Sequence, residues 1–169
     1  MSSWHTATRV ILLGLAAIFV QATLFKALLP AFPAPNLALL LVIYLAFKSS
    51  DVLGAFLAFL LGLEVDLYSG VLLGPWAGSF VTVYSIYALV ARRLFVESYI
   101  TSTLAAVVAT CLATLVYFLL IWSFLPLPEN ILWKLTQEAI VTGVFAAPFM
   151  VFFDRLLRAG REERKTASW

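Results

Sequence analysis

The sequence predicts an all-α fold, a polytopic membrane bundle of about six transmembrane helices. Of its 169 residues, 63% are hydrophobic and 12% are charged, whereas soluble domains have about 45–50% apolar and about 25% charged residues. A soluble fold of this size could not bury so much apolar surface, so lipid must surround most of the chain. Because one spanning helix takes about 20 residues, we expect a single transmembrane domain over residues 1–157 and a basic cytoplasmic tail over residues 158–169.

The first predicted helix occupies the apolar run between Arg9 and Lys26. We interpret it as a retained membrane anchor, because Lys26 stands where a cleaved signal would have small residues. Pro30, Pro33 and Pro35 end the helix, since each removes a backbone N–H and restricts the residue before it.

The second predicted helix, Leu37–Phe47, is short. At 1.5 Å per residue it is about 16 Å long, whereas the hydrocarbon core of a bilayer is about 30 Å thick. Helices that lie on a membrane surface have a polar face, and this run has none. We therefore expect a short span with Lys48 reaching the headgroups. The alternative is a helix that does not cross, which would place the N-terminus outside.

The third helix is predicted from Val52 to the segment 66–70, and the fourth from Pro75 to Arg92 and Arg93. Proline is favoured in a first helical turn because its missing N–H would have no partner there. Helix 4 therefore has a defined start.

The fifth helix is predicted over residues 98–125, and the sixth from residue 129 or 130 to Asp154 or Arg155. Pro148 should kink the sixth helix. The polar tail from Arg158 onward is expected to be frayed.

Lysine and arginine are concentrated on one side of this six-helix arrangement, which marks that side as cytoplasmic. Nine of the eleven basic residues lie there, namely Arg9, Lys48, Arg92, Arg93, Arg155, Arg158, Arg161, Arg164 and Lys165. The C-terminus is thus cytoplasmic, and the N-terminus is too if helix 2 spans. We expect Arg92, Arg93, Arg155 and Arg158 to bind anionic lipid at the inner surface, or alternatively a cytoplasmic partner.

Small residues recur every four positions in helix 3 and just beyond it. They are Gly54, Ala58, Gly62, Asp66, Gly70 and Gly74, with Asp66 the one larger member. While the chain stays helical, positions four apart share a face, and small faces let membrane helices approach closely. The face therefore packs a neighbouring helix of the same bundle or, alternatively, receives a helix of a partner protein.

Two carboxyl groups lie near the end of helix 3. An intramembrane carboxylate is a functional candidate by default, so Asp66 either binds a ligand or caps the amides of the next segment. Glu64 is two residues away and faces elsewhere, so the two do not form an acid–base pair. Glu64 and Asp66 are our candidates for a cavity or a cap.

No catalytic or metal-binding motif is visible. Cys111 and His5 are the single cysteine and histidine, and metal sites need several converging ligands. Nucleophile–base motifs and phosphate-binding glycine loops are also absent. We expect no enzymatic activity, no cofactor and no nucleic-acid partner, with the lipid bilayer as the surroundings.

Three motifs follow one another in residues 35–74. They are Pro35-Asn36, Gly54 and Gly62-Leu-Glu-Val-Asp66-Leu-Tyr-Ser69-Gly70-Val-Leu-Leu-Gly74. In this order they resemble the MreD family of rod shape-determining proteins, closely over residues 35–95 and by size and helix count elsewhere. Glu64 departs from the family pattern, which has an apolar residue there, as does Pro75-Trp76, where a smaller pair is common.

The resemblance implies a non-enzymatic scaffold of the bacterial inner membrane, in the machinery that elongates the cell wall. It implies binding to the single-pass protein MreC and, through the complex, joint action with MreB and a wall synthase in rod shape and lateral peptidoglycan synthesis. More than one copy of the chain is allowed in that complex. The implied fold is similar to the S components of energy-coupling-factor vitamin transporters, with Asp66 near the mouth of an outward-facing cavity.

The alternative function is that of a vitamin-binding transporter subunit of this S-component type. Such subunits use an Ala-xxx-Ala pattern in helix 1 to dock their coupling subunit. Here the residues four positions after Ala16, Ala17 and Ala22 are valine, glutamine and lysine, so the pattern is missing.

Overall fold

The structure, a computed structural model, describes residues 3–25, 27, 33–48, 51–70, 72–91, 99–122 and 130–166. This part of the chain is helical. Its six helices are α1 (Ser3–Val20, continued by a π-helical segment, Gln21–Phe25), α2 (Leu37–Lys48), α3 (Val52–Ser69), α4 (Pro75–Ala91), α5 (Tyr99–Ile121) and α6 (Ile131–Thr166).

Four of the helices contain apolar stretches long enough to cross a membrane. These stretches are Ala7–Phe25 in α1, Val52–Ser69 in α3, Ile100–Ile121 in α5 and Thr136–Leu156 in α6. Helices α2 and α4 are apolar but shorter. The prediction of a polytopic helical membrane bundle is thus confirmed.

Most predicted helix bounds agree with the structure, but the start of α1 and the end of α6 do not. Helix α1 begins at Ser3, before the predicted start at Arg9. The tail predicted to be frayed from Arg158 is helical as far as Thr166. Polarity alone does not end a helix, and residues 155–166 are rich in arginine, leucine, glutamate and lysine, which favour helix. Pro148 lies inside α6, and the kink expected there remains a prediction.

The short helix α2 is the centre of the bundle. It packs against all five other helices, and every residue from Leu37 to Ala46 is buried. A helix that is apolar on all sides belongs in such a position. Protein therefore covers α2 all round, which is why its sequence has no polar face.

Polar contacts fix both ends of α2 to α6. At the start of α2 the Asn36 N–H donates to the Thr142 hydroxyl (3.0 Å), and at its end the Lys48 ammonium pairs with Asp154 (3.1 Å). The two helices therefore run parallel over 12 residues each, about 18 Å. The end of α1 adjoins the start of α2, because the Leu37 N–H donates to the Gln21 side chain (3.3 Å).

Candidate functional site

The carboxylate of Asp66, at the end of α3, caps the start of α4. One oxygen accepts hydrogen bonds from the N–H groups of Gly74 (2.9 Å) and Ala77 (3.1 Å), and the other from Trp76 (3.0 Å). The first amides of a helix have no partner within it, and the positive end of the helix dipole favours a negative charge. Asp66 is only 1% exposed, so these amides take the place of water.

The turn that carries the chain from α3 to α4 depends on two glycines. Gly70 has φ of +64° and its N–H donates to the Asp66 carbonyl (3.1 Å), which ends α3. The Ser69 hydroxyl donates to the same carbonyl (2.9 Å). Gly74 has φ of +114°, and a residue with a side chain would be strained at either glycine. We call this unit, Asp66, Ser69, Gly70, Gly74, Trp76 and Ala77, the α3–α4 corner.

The small-residue face of α3 lies against α4. A Cβ atom added at Gly62 would lie 2.7 Å from the Ala77 nitrogen, and one added at Gly54 would overlap the Tyr84 hydroxyl. Ala58 between them is fully buried. Two helix backbones therefore come very close at Gly62, and a partner helix could reach this face only by displacing α4. Gly70 and Gly74 lie beyond the helix and serve the corner instead.

The far end of the same helix pair is capped in a similar way. The Asp51 carboxylate accepts from the Gly54 N–H (2.9 Å) at the start of α3, and the Tyr84 hydroxyl of α4 donates to the Asp51 carbonyl (3.0 Å). Gly54 thus makes room for Tyr84, which joins the second half of α4 to the start of α3.

Glu64 lies on a different side of α3 from Asp66, as expected, and caps no helix. Its Oε2 atom is buried beside Gly14 of α1, where an added Cβ would lie 2.5 Å away. That oxygen has no hydrogen-bond partner among the described residues. The two carboxyl groups therefore have separate surroundings and form no acid–base pair.

Of the four predicted inner-surface arginines, the structure describes two. Arg155 is exposed, and Arg158 lies on the helical extension of α6. Arg92 and Arg93 lie outside the described residues. The cytoplasmic location of these residues remains a prediction.

Sequence reasoning missed the polar contacts at both ends of α2. Asn36 caps α2 by accepting from the Leu39 N–H (3.0 Å), and its side-chain amide donates to Glu138 (3.3 Å). At the other end, the Tyr44 hydroxyl donates to Asp154 (3.1 Å). Asparagine directly before an apolar run is a helix-start signal, so the Asn36 cap could have been found.

A groove of about 440 Å³ separates α1 from α6. Its lining side chains are apolar and come from α1, α6 and the start of α2: Leu13, Ala16, Ala17, Val20, Leu37, Pro148, Phe149, Phe152 and Phe153. Within the described ranges there is no group of three or more His, Cys, Asp or Glu side chains that could hold a metal ion.

Comparison with known families identifies the chain. The model of the rod shape-determining protein MreD family matches residues 4–159. The chain belongs to the MreD family. This match includes the α3–α4 corner and the central helix α2, and membership implies a role in determining rod shape. MreD proteins are shape-determining structural proteins, not a known enzyme family.

No curated protein and no solved structure matches the sequence significantly. The expected similarity of this MreD protein to the S components of vitamin transporters therefore remains a prediction.

Proposed function

We propose that this MreD protein is a non-enzymatic membrane scaffold of the cell-wall elongation machinery. It binds the single-pass protein MreC and, through that complex, works with MreB and a wall synthase in lateral peptidoglycan synthesis. The family match over residues 4–159 is the observation that carries the proposal.

The internal packing of the bundle supports a scaffold. The described acidic side chains near helix ends are mostly used within the chain: Asp66 and Asp51 cap helices, and Asp154 pairs with Lys48. Such fixed helix ends favour one rigid arrangement, on which a partner helix can dock without remodelling the protein. The outer faces of the spans remain for the partner and for lipid.

We place both termini of the protein on the cytoplasmic side of the inner membrane. In support, α2 runs parallel to α6 and starts beside the end of α1, so Ser3 and Thr166 belong to the same end of the bundle. The excess of basic residues at that end assigns it to the cytoplasm. In this arrangement α2 crosses the bundle.

The test is affinity purification of the full-length tagged chain from membranes of its own host, followed by identification of co-purifying proteins. The proposal requires recovery of MreC in amounts comparable to the tagged chain, and the same preparation measures how many copies of each are present. Recovery of folded protein without MreC would contradict the proposal.

The vitamin-transporter alternative has no comparable support. A ligand site orients its ligand with a few polar groups, whereas the groove between α1 and α6 has an apolar lining. Thermal unfolding of the purified protein should not shift when a panel of vitamins is added.

A further inference from the structure

Glu64 is a carboxyl group inside the span Val52–Ser69 that the scaffold proposal leaves without a role. Neither of its carboxyl oxygens has a hydrogen bond or an ion pair to another described residue. An unpaired polar group in lipid costs free energy, so its presence requires a compensating contact.

The position of Glu64 shows from which side that contact can come. Oε2 is enclosed against Gly14 of α1, whereas the other oxygen is not buried. Leu60, Glu64 and Leu67 occur at helical spacing and form one stripe of α3, and Leu67 is 69% exposed. The carboxyl group thus lies at the edge between α1 and α3, with one oxygen open to the surroundings.

No described residue donates a hydrogen bond to this oxygen, so its donor must lie outside the described residues. On the facing helix, Gly14 has no side chain and the neighbouring Leu13 and Leu15 are apolar. Glu64 is six residues before Gly70, about 9 Å along the helix from the end of α3, so the donor has to reach into the membrane. A side chain carried by another transmembrane helix meets that requirement.

We propose that Glu64 is a docking point for a partner's transmembrane helix that lies along the α1–α3 edge and brings a hydrogen-bond-donating or basic side chain to the carboxyl group. The proposal rests on the proposed function, in which that partner is MreC. Gly14 allows the arrangement because a larger residue would push the Glu64 side chain out of place.

The groove between α1 and α6 is a weaker candidate for this helix. All of its lining side chains are apolar, so acyl chains can fill it as well as a protein can. Association between helices in lipid comes from close packing and hydrogen bonds, and Glu64 supplies the hydrogen-bond acceptor that the groove lacks.

Variants at position 64 test the proposal by co-purification of MreC with the full-length protein. We expect Glu64→Leu to weaken MreC binding about three- to tenfold, the effect of one interhelical hydrogen bond. Glu64→Gln retains an acceptor oxygen and should bind more tightly than Glu64→Leu. The matched control is Glu162→Leu, the same substitution on the extension of α6, which should leave binding unchanged.

Each outcome has a separate meaning. If the wild-type chain recovers no MreC, the proposed function fails. If the wild-type chain and Glu64→Leu recover MreC equally, only the assignment of Glu64 is wrong.

If Glu64→Leu fails to fold, photo-cross-linking can test the same proposal. A photoreactive amino acid in place of the exposed Leu67 leaves Glu64 intact and should cross-link to the transmembrane helix of MreC. Cross-links to lipid alone would overturn the proposal.

Discussion

Asp66 and Gly74 are joined by a 2.9 Å hydrogen bond between the last turn of α3 and the segment that opens α4. The same carboxylate also accepts from the Trp76 and Ala77 amides, so one side chain fixes the angle and spacing of two membrane helices. Close packing at Gly62 depends on this geometry, because the α4 backbone passes beside that glycine only when its first turn is held against α3.

Removing the Asp66 carboxylate should destabilise the protein strongly. Asp66→Ala leaves three amides in a buried site without acceptors, and we expect the free energy of unfolding to fall by about 2–4 kcal/mol. Asp66→Asn keeps one acceptor oxygen and should lose less. Unfolding of the purified protein in detergent measures the change. Glu64→Gln is the matched control for Asp66→Asn, since it also changes a carboxyl group to an amide, two residues away and at a side chain that caps no helix.

Enlarging Gly62 should separate α3 from α4. In Gly62→Ala the new methyl group meets the backbone of Ala77. Such overpacking typically lowers the free energy of unfolding by about 1–3 kcal/mol. Gly78→Ala is a matched control on α4, because among the described residues its Cβ meets only the far end of the Leu120 side chain, at 3.0 Å. Equal unfolding temperatures for the two variants would show that the close approach at Gly62 does not exist.

Substitutions at Gly70 test the backbone conformation of the α3–α4 corner separately from side-chain packing. Gly70 has a φ of +64°, and apart from its chain neighbours no described residue has an atom within 4 Å of an added Cβ. Gly70→Ala should therefore cost only the free energy of the left-handed conformation, about 1–2 kcal/mol. Gly70→Asn should cost less, because asparagine tolerates this conformation better. A measured cost in Gly70→Asn equal to that in Gly70→Ala would argue against a left-handed corner.

Single cysteines on the Cys111→Ser background test the placement of the termini. Cysteines at Ser3 and Arg158 should react with a membrane-impermeant thiol reagent only after the membrane is opened. A cysteine at the exposed Leu73, between α3 and α4, should react in intact spheroplasts. Reaction of the Ser3 and Leu73 cysteines from the same side would mean that α2 does not cross.

Local sequence signals predicted the helices well. Apolar runs bounded by proline or charge placed the start of α2 after Pro35 and the start of α4 at Pro75, as in the structure. The end of α6 could not be predicted from polarity, because a polar, helix-favouring sequence has no stop signal of its own. The extension to Thr166 follows from the helix propensity of its residues.

The contacts between distant residues were harder to predict. The spacing of Gly54, Ala58 and Gly62 predicted a close helix contact, but the identity of the neighbour as α4 depends on how six helices pack together. Likewise, Lys48 and Asp154 are more than a hundred residues apart, and their pairing follows only once α2 and α6 are known to run parallel.

The small-residue face of α3 lies against α4 inside this MreD protein, and we therefore propose that a partner helix binds elsewhere on the surface. The most direct measurement is an experimental structure of the complex with MreC in a lipid environment. We expect Gly62 in contact with Ala77, the Asp66 carboxylate on the amides of α4, and the MreC helix along the α1–α3 edge. A MreC helix between α3 and α4, in contact with Gly62, would contradict it.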